Sequence, residues 1–86
     1  MFYVYIIRSR KDKSVYIGYS DDLTRRFREH NNLENKSTRG KAPFDLVYYE
    51  AYRAKPDAKY REKNLKRFAK AYGQLRGRIK YSLEAL

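Results

Sequence analysis

Four side chains in this 86-residue sequence have the chemistry to handle a phosphate: the phenols Tyr5 and Tyr16, the guanidinium of Arg26 and the imidazole of His30. Cutting a phosphodiester needs an activated water, a countercharge for the pentacoordinate phosphate and help for the leaving oxygen. A guanidinium offers paired, charge-assisted donors to phosphate. A phenol can orient a water, but it acts as a base near neutral pH only where a nearby cation lowers its pKa.

The spacing of these residues says which elements must carry them. Phe2, Val4 and Ile6 alternate with Tyr3, Tyr5 and Ile7, the period of a strand. Residues 14–20, SVYIGYS, read as a second strand, and residues 10–13 carry no apolar side chain and suit a hairpin connection. Antiparallel pairing then lets Tyr5 and Tyr16 face one surface. Ser20, Asp21 and Asp22 can cap a helix whose apolar side is Leu23 and Phe27. Arg26 is three residues from Leu23 and four from His30, so both lie along one edge of that stripe.

Residues 31–43 read as a long polar loop, in which Lys36, Ser37, Thr38, Arg39 and Lys41 offer hydroxyls and cations to a nucleic-acid backbone. A purely solvated loop is the competing reading. Residues 44–52 form the expected third strand, with Leu46, Tyr48, Glu50 and Tyr52 on one face and Val47, Tyr49 and Ala51 on the other. Its tyrosines read mainly as packing residues. Pro56 and Asp57 open a helix with a stripe of Ala58, Leu65, Ala69 and Tyr72, and Gly73 is expected to end it. Leu75, Ile79, Leu83 and Leu86 mark a last amphipathic helix, with Arg76, Arg78 and Lys80 outside.

Glu62 lies on the stripe of the longer helix, while Arg61, Lys63, Lys66 and Arg67 are expected to point elsewhere. An inward carboxylate needs a partner, either a cation such as Arg26 or a bound metal, and the residues by themselves favour the ion pair. The element order β-β-α-β-α-α gives an α+β fold: a three-stranded antiparallel sheet flanked by helices, in one domain over residues 1–86.

Twenty-one Lys and Arg against ten Asp and Glu give a formal net charge of +11. With ten tyrosines and four phenylalanines interleaved, this composition favours nucleic acid as partner over a purely solubilising charge. The absence of cysteine excludes disulfides and thiolate zinc, and a single histidine excludes a multi-histidine centre, so any metal binds through oxygen. No stretch reads as a signal peptide or a membrane span, which makes the cytoplasm the expected location.

The chain resembles the GIY-YIG nuclease domain. Tyr3-Val4-Tyr5 stands where that family has its first tripeptide, and Tyr16-Ile17-Gly18 is its second without change. Arg26 and His30 fall at its helix arginine and frequent histidine, and Glu62, in Arg61-Glu62-Lys63-Asn64-Leu65-Lys66, at its metal-binding glutamate. Tyr3 replaces the first glycine. The asparagine that many members carry after the glutamate has no clear counterpart, Gln74 being the nearest. The resemblance spans nearly the whole chain and is similar to small single-domain members and to the UvrC N-terminal nuclease domain.

The resemblance implies an endonuclease that hydrolyses phosphodiester bonds in DNA, or RNA, with one Mg²⁺ or Mn²⁺ at Glu62 and no small-molecule cofactor. DNA repair or the processing of DNA structures is the setting it implies. Tyr5, Tyr16, Arg26, His30 and Glu62 are then the catalytic set. Tyr5 is the favoured base or water-positioner and Tyr16 a phosphate or water contact, and His30 assists proton transfer or bonds the backbone. Lys36, Thr38, Arg39, Lys41, Lys63, Lys66 and Arg67 are the expected nucleic-acid contacts. A basic binding module with a vestigial site is the alternative, and a structural adaptor is a third reading, for which the pattern shows no exposed apolar patch.

Overall fold

The computed structural model describes residues 1–34 and 38–85. Lys36, Ser37 and Leu86 therefore lie outside the described residues. Strands β1 (Phe2–Ser9), β2 (Val15–Ser20) and β3 (Phe44–Tyr52) form one antiparallel sheet in the order β2-β1-β3. Helix α1 (Leu23–Asn31) and a single 3-10 turn (Arg39–Lys41) separate β2 from β3, and α2 (Lys55–Arg67), α3 (Ala69–Arg78) and α4 (Lys80–Glu84) follow. No helix among the described residues is long and apolar enough to cross a membrane.

The central position of β1 explains its buried run from Val4 to Ile7. A strand covered on both faces loses the polar side that alternation otherwise requires. On one face Val4 and Ile6 pack with Ala58 and Leu65 of α2, Leu75 of α3 and Ile79. On the other, Tyr5 and Ile7 pack with Phe44, Leu23, Phe27 and Tyr16. Each such side chain contributes about 1.5–3 kcal/mol on full burial, so the sheet and its two helical layers hold one another.

Local chemistry sets the ends of these elements. Residues 10–13 turn the chain between β1 and β2 as the sequence led us to expect. Ser9, fully buried, accepts from the Lys11 and Asp12 amides and donates its hydroxyl to the Lys41 carbonyl at 2.6 Å. Asp22 is the N-cap of α1, accepting from the Arg25 amide at 3.1 Å. At the other end, Asn31 acts as a strand-like partner for Phe44. Its Oδ1 accepts from the Phe44 amide at 2.6 Å and its Nδ2 donates to the Phe44 carbonyl at 3.2 Å, which fixes α1 to the start of β3.

Several expectations need correction. The alternation along β3 is interrupted between Ile6 and Ile7, where Tyr48 pairs with Ile6 but Leu46 with Ile7. The extra residue, Val47, is a bulge that moves Leu46 to the α1 face with Tyr49, while Val47 joins Tyr48 and Tyr52 on the α2 face. The long helix breaks at Phe68, whose backbone is extended (φ −112°, ψ 111°), so Ala69 starts α3 and is exposed. Gly73 does not end a helix but lies inside α3, having none of the left-handed backbone that a glycine stop uses, and the last helix expected through Leu75, Ile79 and Leu83 is instead split at Ile79 between α3 and α4, so three helices follow β3 where two were expected.

Arg61, expected to point outward, reaches across to β3. Its Nε donates to Glu50 Oε1 and its Nη2 to Oε2, both at 3.0 Å, while the Tyr48 and Tyr52 hydroxyls donate to the same carboxylate. Burial acts to raise the Glu50 pKa, but Arg61 and the two phenols outweigh it and the carboxyl is lowered. Burial and the adjacent carboxylate push both phenols up to about 12. This satisfied cluster fastens α2 to the sheet edge.

Candidate active site

The α1 face of the β1–β2 hairpin holds the phenols and the imidazole. Tyr5 pairs with Gly18 and Tyr16 with Ile7, so both phenols stand on this face, with ring centroids 6.5 Å apart. A Cβ on Gly18 would lie 2.3 Å from both Cζ and Oη of Tyr5. The glycine of the second tripeptide is therefore the floor on which the Tyr5 ring lies. Gly18→Ala is expected to displace that ring and cost about 1–3 kcal/mol by overpacking, because Tyr5 has no free volume to turn into. Thermal unfolding checks this, and an unchanged melting temperature contradicts it.

His30 comes from the last turn of α1 and is wholly buried, with its ring 5.1 Å from that of Tyr16 and 5.8 Å from that of Tyr5. Its Nε2 is 2.8 Å from the Tyr5 hydroxyl and its Nδ1 is 2.7 Å from Thr38 Oγ1. Burial lowers the His30 pKa, the Arg26 charge lowers it further, and Glu29 opposes. The ring is neutral at pH 7, since even an unperturbed histidine titrates near 6.5. Burial raises the Tyr5 pKa, and Tyr16, Glu62 and Glu29 add to this against the lowering effect of Arg26. Tyr5 therefore stays a phenol and is ill suited to ionising.

Arg26 projects from the same helix with its Nε buried and, among the described residues, without a hydrogen-bond partner. Leaving a donor unpaired costs about 1–3 kcal/mol. Its Nη1 stands 3.7 Å from Glu29 Oε1, too long for a hydrogen bond, and the side chain is 37% exposed. The Nη end is part-exposed beside Glu29 and within reach of an anion. Glu62 does not pair with Arg26. Its Oε2 accepts from Lys66 Nζ at 3.0 Å, one helical turn on, and the Lys66 ammonium also lies 5.7 Å from the centre of the Tyr16 ring. Helix α2 packs on the opposite face of the sheet, so Glu62 and Lys66 meet the phenols around the outer edge of β2.

Lys66 is exposed, as its place off the buried stripe predicts, and its ammonium also borders the Tyr16 side of the site. An open groove of about 440 Å³ runs beside it, lined by Tyr16, Ile17, Leu65, Lys66 and Tyr72. A groove of about 460 Å³ at the other sheet edge, between Tyr3, Phe27, Leu46 and Tyr49, carries Asp21 and Asp22, the wrong charge for a phosphate. Arg39, Lys41, Lys63 and Arg67 are exposed, Lys41 lying 3.5 Å from Asp12. Thr38, expected among the surface hydroxyls, is 2% exposed with its hydroxyl turned to His30. Gln74 lies on α3 beside Arg61 and Arg78, on the side of the Glu50 cluster. The sequence carried no signal for the Thr38 contact, because it joins a helix end to a loop eight residues away.

Among the described residues no three His, Cys, Asp or Glu side chains converge on one point. A cation at Glu62 would take one protein carboxylate and complete its shell with water and substrate oxygens, which fits the ligand habits of Mg²⁺.

Residues 1–76 match the family described as the GIY-YIG catalytic domain. A UPF0213 protein of Clostridium perfringens is 41% identical over 71 residues, covering 81% of this chain and 75% of the relative. One from Haloquadratum walsbyi is 42% identical over 69 residues, covering 79% and 76%. The solution NMR structure of a UPF0213 protein from Bacillus halodurans is similar with a TM-score of 0.55 and 37% identity, covering 87% of this chain and 82% of that one. These names state no activity.

Proposed function

The chain belongs to the GIY-YIG family of catalytic domains, and from that premise we propose that it is a divalent-metal-dependent endonuclease acting on DNA. The observation that supports this reading most is geometric. The Tyr5 hydroxyl lies 2.8 Å from the buried His30 Nε2 with the Tyr16 ring 6.5 Å away, and Arg26, on the helix that carries His30, holds a buried Nε with no hydrogen-bond partner among the described residues.

In this reading Arg26 binds the scissile phosphate through its Nη donors and stabilises the charge that grows there. Tyr5, held neutral, accepts a hydrogen bond from the attacking water and orients it. Tyr16, less buried and flanked by Lys66, touches phosphate or water at the groove. Glu62 would hold one Mg²⁺ or Mn²⁺, which when bound supplies a countercharge and lowers the pKa of a coordinated water. The exposed Arg39, Lys41, Lys63 and Arg67 bind the flanking backbone. Repair or processing of DNA structures is the setting this reading favours.

The Lys66–Glu62 pair favours a second reading, a basic nucleic-acid-binding module whose carboxylate is already neutralised. Incubation with labelled duplex, branched and single-stranded DNA and RNA, with Mg²⁺, Mn²⁺ or chelator, separates the two. Metal-dependent cleavage of DNA is expected; binding to every substrate without cleavage favours the module. In both readings affinity falls steeply along a salt series as counterions are released from several phosphates. A flat response would remove nucleic acid as the partner.

A further inference from the structure

We infer that Thr38 is a positioning residue: by accepting the Nδ1–H of His30 it fixes the tautomer whose Nε2 accepts the Tyr5 hydroxyl proton, so that the Tyr5 oxygen offers lone pairs to the site. Tyr5, His30 and Thr38 are 1%, 0% and 2% exposed, and the two contacts between them are 2.8 and 2.7 Å. The three come from β1, the end of α1 and the loop before β3, and solvent does not interrupt them.

A neutral imidazole has one donor and one acceptor nitrogen, and what each bonds sets the tautomer. Two arrangements satisfy both contacts. Either Tyr5 donates to Nε2 and Nδ1–H donates to Thr38, or Thr38 donates to Nδ1 and Nε2–H donates to Tyr5. The phenol, with an ordinary pKa of about 10, is a far stronger acid than an aliphatic alcohol, and the imidazole lone pair is a better acceptor than the Thr38 hydroxyl oxygen. Its proton is also confined near the plane of the ring, whereas the Thr38 hydroxyl rotates about its C–O bond to find a weaker acceptor. The first arrangement is favoured on both counts.

The consequence for cleavage rests on the nuclease reading. With its proton turned inward, Tyr5 accepts from a water and leaves that water's lone pair free for the phosphate. In the opposite tautomer Tyr5 would present a proton to the water and turn its lone pair away.

His30 is the sole histidine, so nitrogen-15 NMR of the imidazole reads its tautomer without ambiguity and without nucleic acid. At about pH 8, above the ordinary histidine range, wild type and Thr38→Ser are expected to carry the proton on Nδ1. Thr38→Val, which keeps the shape and removes the acceptor, is expected to shift toward the Nε2–H form. Its cleavage should fall about 10- to 100-fold, typical of losing a partner that orients a working side chain, with KM little changed and activity restored in Thr38→Ser. A proton on Nε2 in wild type overturns the inference, even where Thr38→Val fails to fold. So does a Thr38→Val protein with the wild-type tautomer and full activity. If wild type cuts nothing, the nuclease reading fails and the spectra alone decide whether Thr38 sets the tautomer.

Discussion

Arg26→Ala is expected to lower DNA cleavage by about 10²- to 10³-fold, the scale of losing one preorganised donor to a developing oxyanion, while affinity for DNA stays nearly intact. The asymmetry follows from where the side chain sits. Its Nε is buried and unpaired among the described residues, and its Nη1 is only loosely opposed by Glu29, so the guanidinium is held ready for an anion that forms during the reaction. Binding draws on a net charge of +11 spread over the surface, of which Arg26 is a small part. Stability should hold or rise slightly, since an unpaired buried donor is removed. Arg26→Lys should rescue only in part, because an ammonium keeps the charge without the paired geometry. Single-turnover cleavage and equilibrium binding on one labelled substrate make the comparison. Parallel losses in both would make Arg26 a docking residue.

Glu62→Gln is expected to abolish metal-dependent cleavage with a stability change below about 1 kcal/mol. A carboxylate neutralising a buried arginine, the ion pair that the residues by themselves favour, would cost about 3–5 kcal/mol on its loss. The partner is instead Lys66, 47% exposed and one turn away on the same helix. Pairs of that kind contribute about 0.3–0.5 kcal/mol. The glutamine keeps the size of the side chain and removes the charge that attracts a cation, so Mn²⁺ binding should weaken. DNA binding should persist or tighten as repulsion from phosphate is relieved. Thermal melts of both proteins with and without Mn²⁺, beside the cleavage assay, test this directly. A loss of several kcal/mol in the variant, with no effect of metal on the wild type, would sink the catalytic assignment.

The sequence alone determined the elements and most of the reacting groups, because those rest on short-range patterns. Alternation in residues 2–7 and 14–20, an acidic cap ahead of Leu23 and an aromatic run at residues 44–52 each depend on neighbours a few positions away. The pairing of the hairpin then placed Tyr5 and Tyr16 on one face, and helical spacing placed Arg26 beside His30. Contacts across the fold were not legible in this way. The bulge at Val47 arises from matching β3 to a central strand whose register β1 fixes, so alternation in β3 alone put Leu46 on the wrong face. Arg61 turned inward because Glu50, Tyr48 and Tyr52 meet it there, and no helical wheel contains that carboxylate. Lys66 was legible as a nucleic-acid contact, but that its ammonium reaches the Tyr16 ring follows only from the packing of α2 beside β2. Thr38 looked like one more loop hydroxyl until the folded chain closed it over His30. A period names the face a side chain occupies; which group it meets there is decided by long-range packing, and the polar partners in this site are of that second kind.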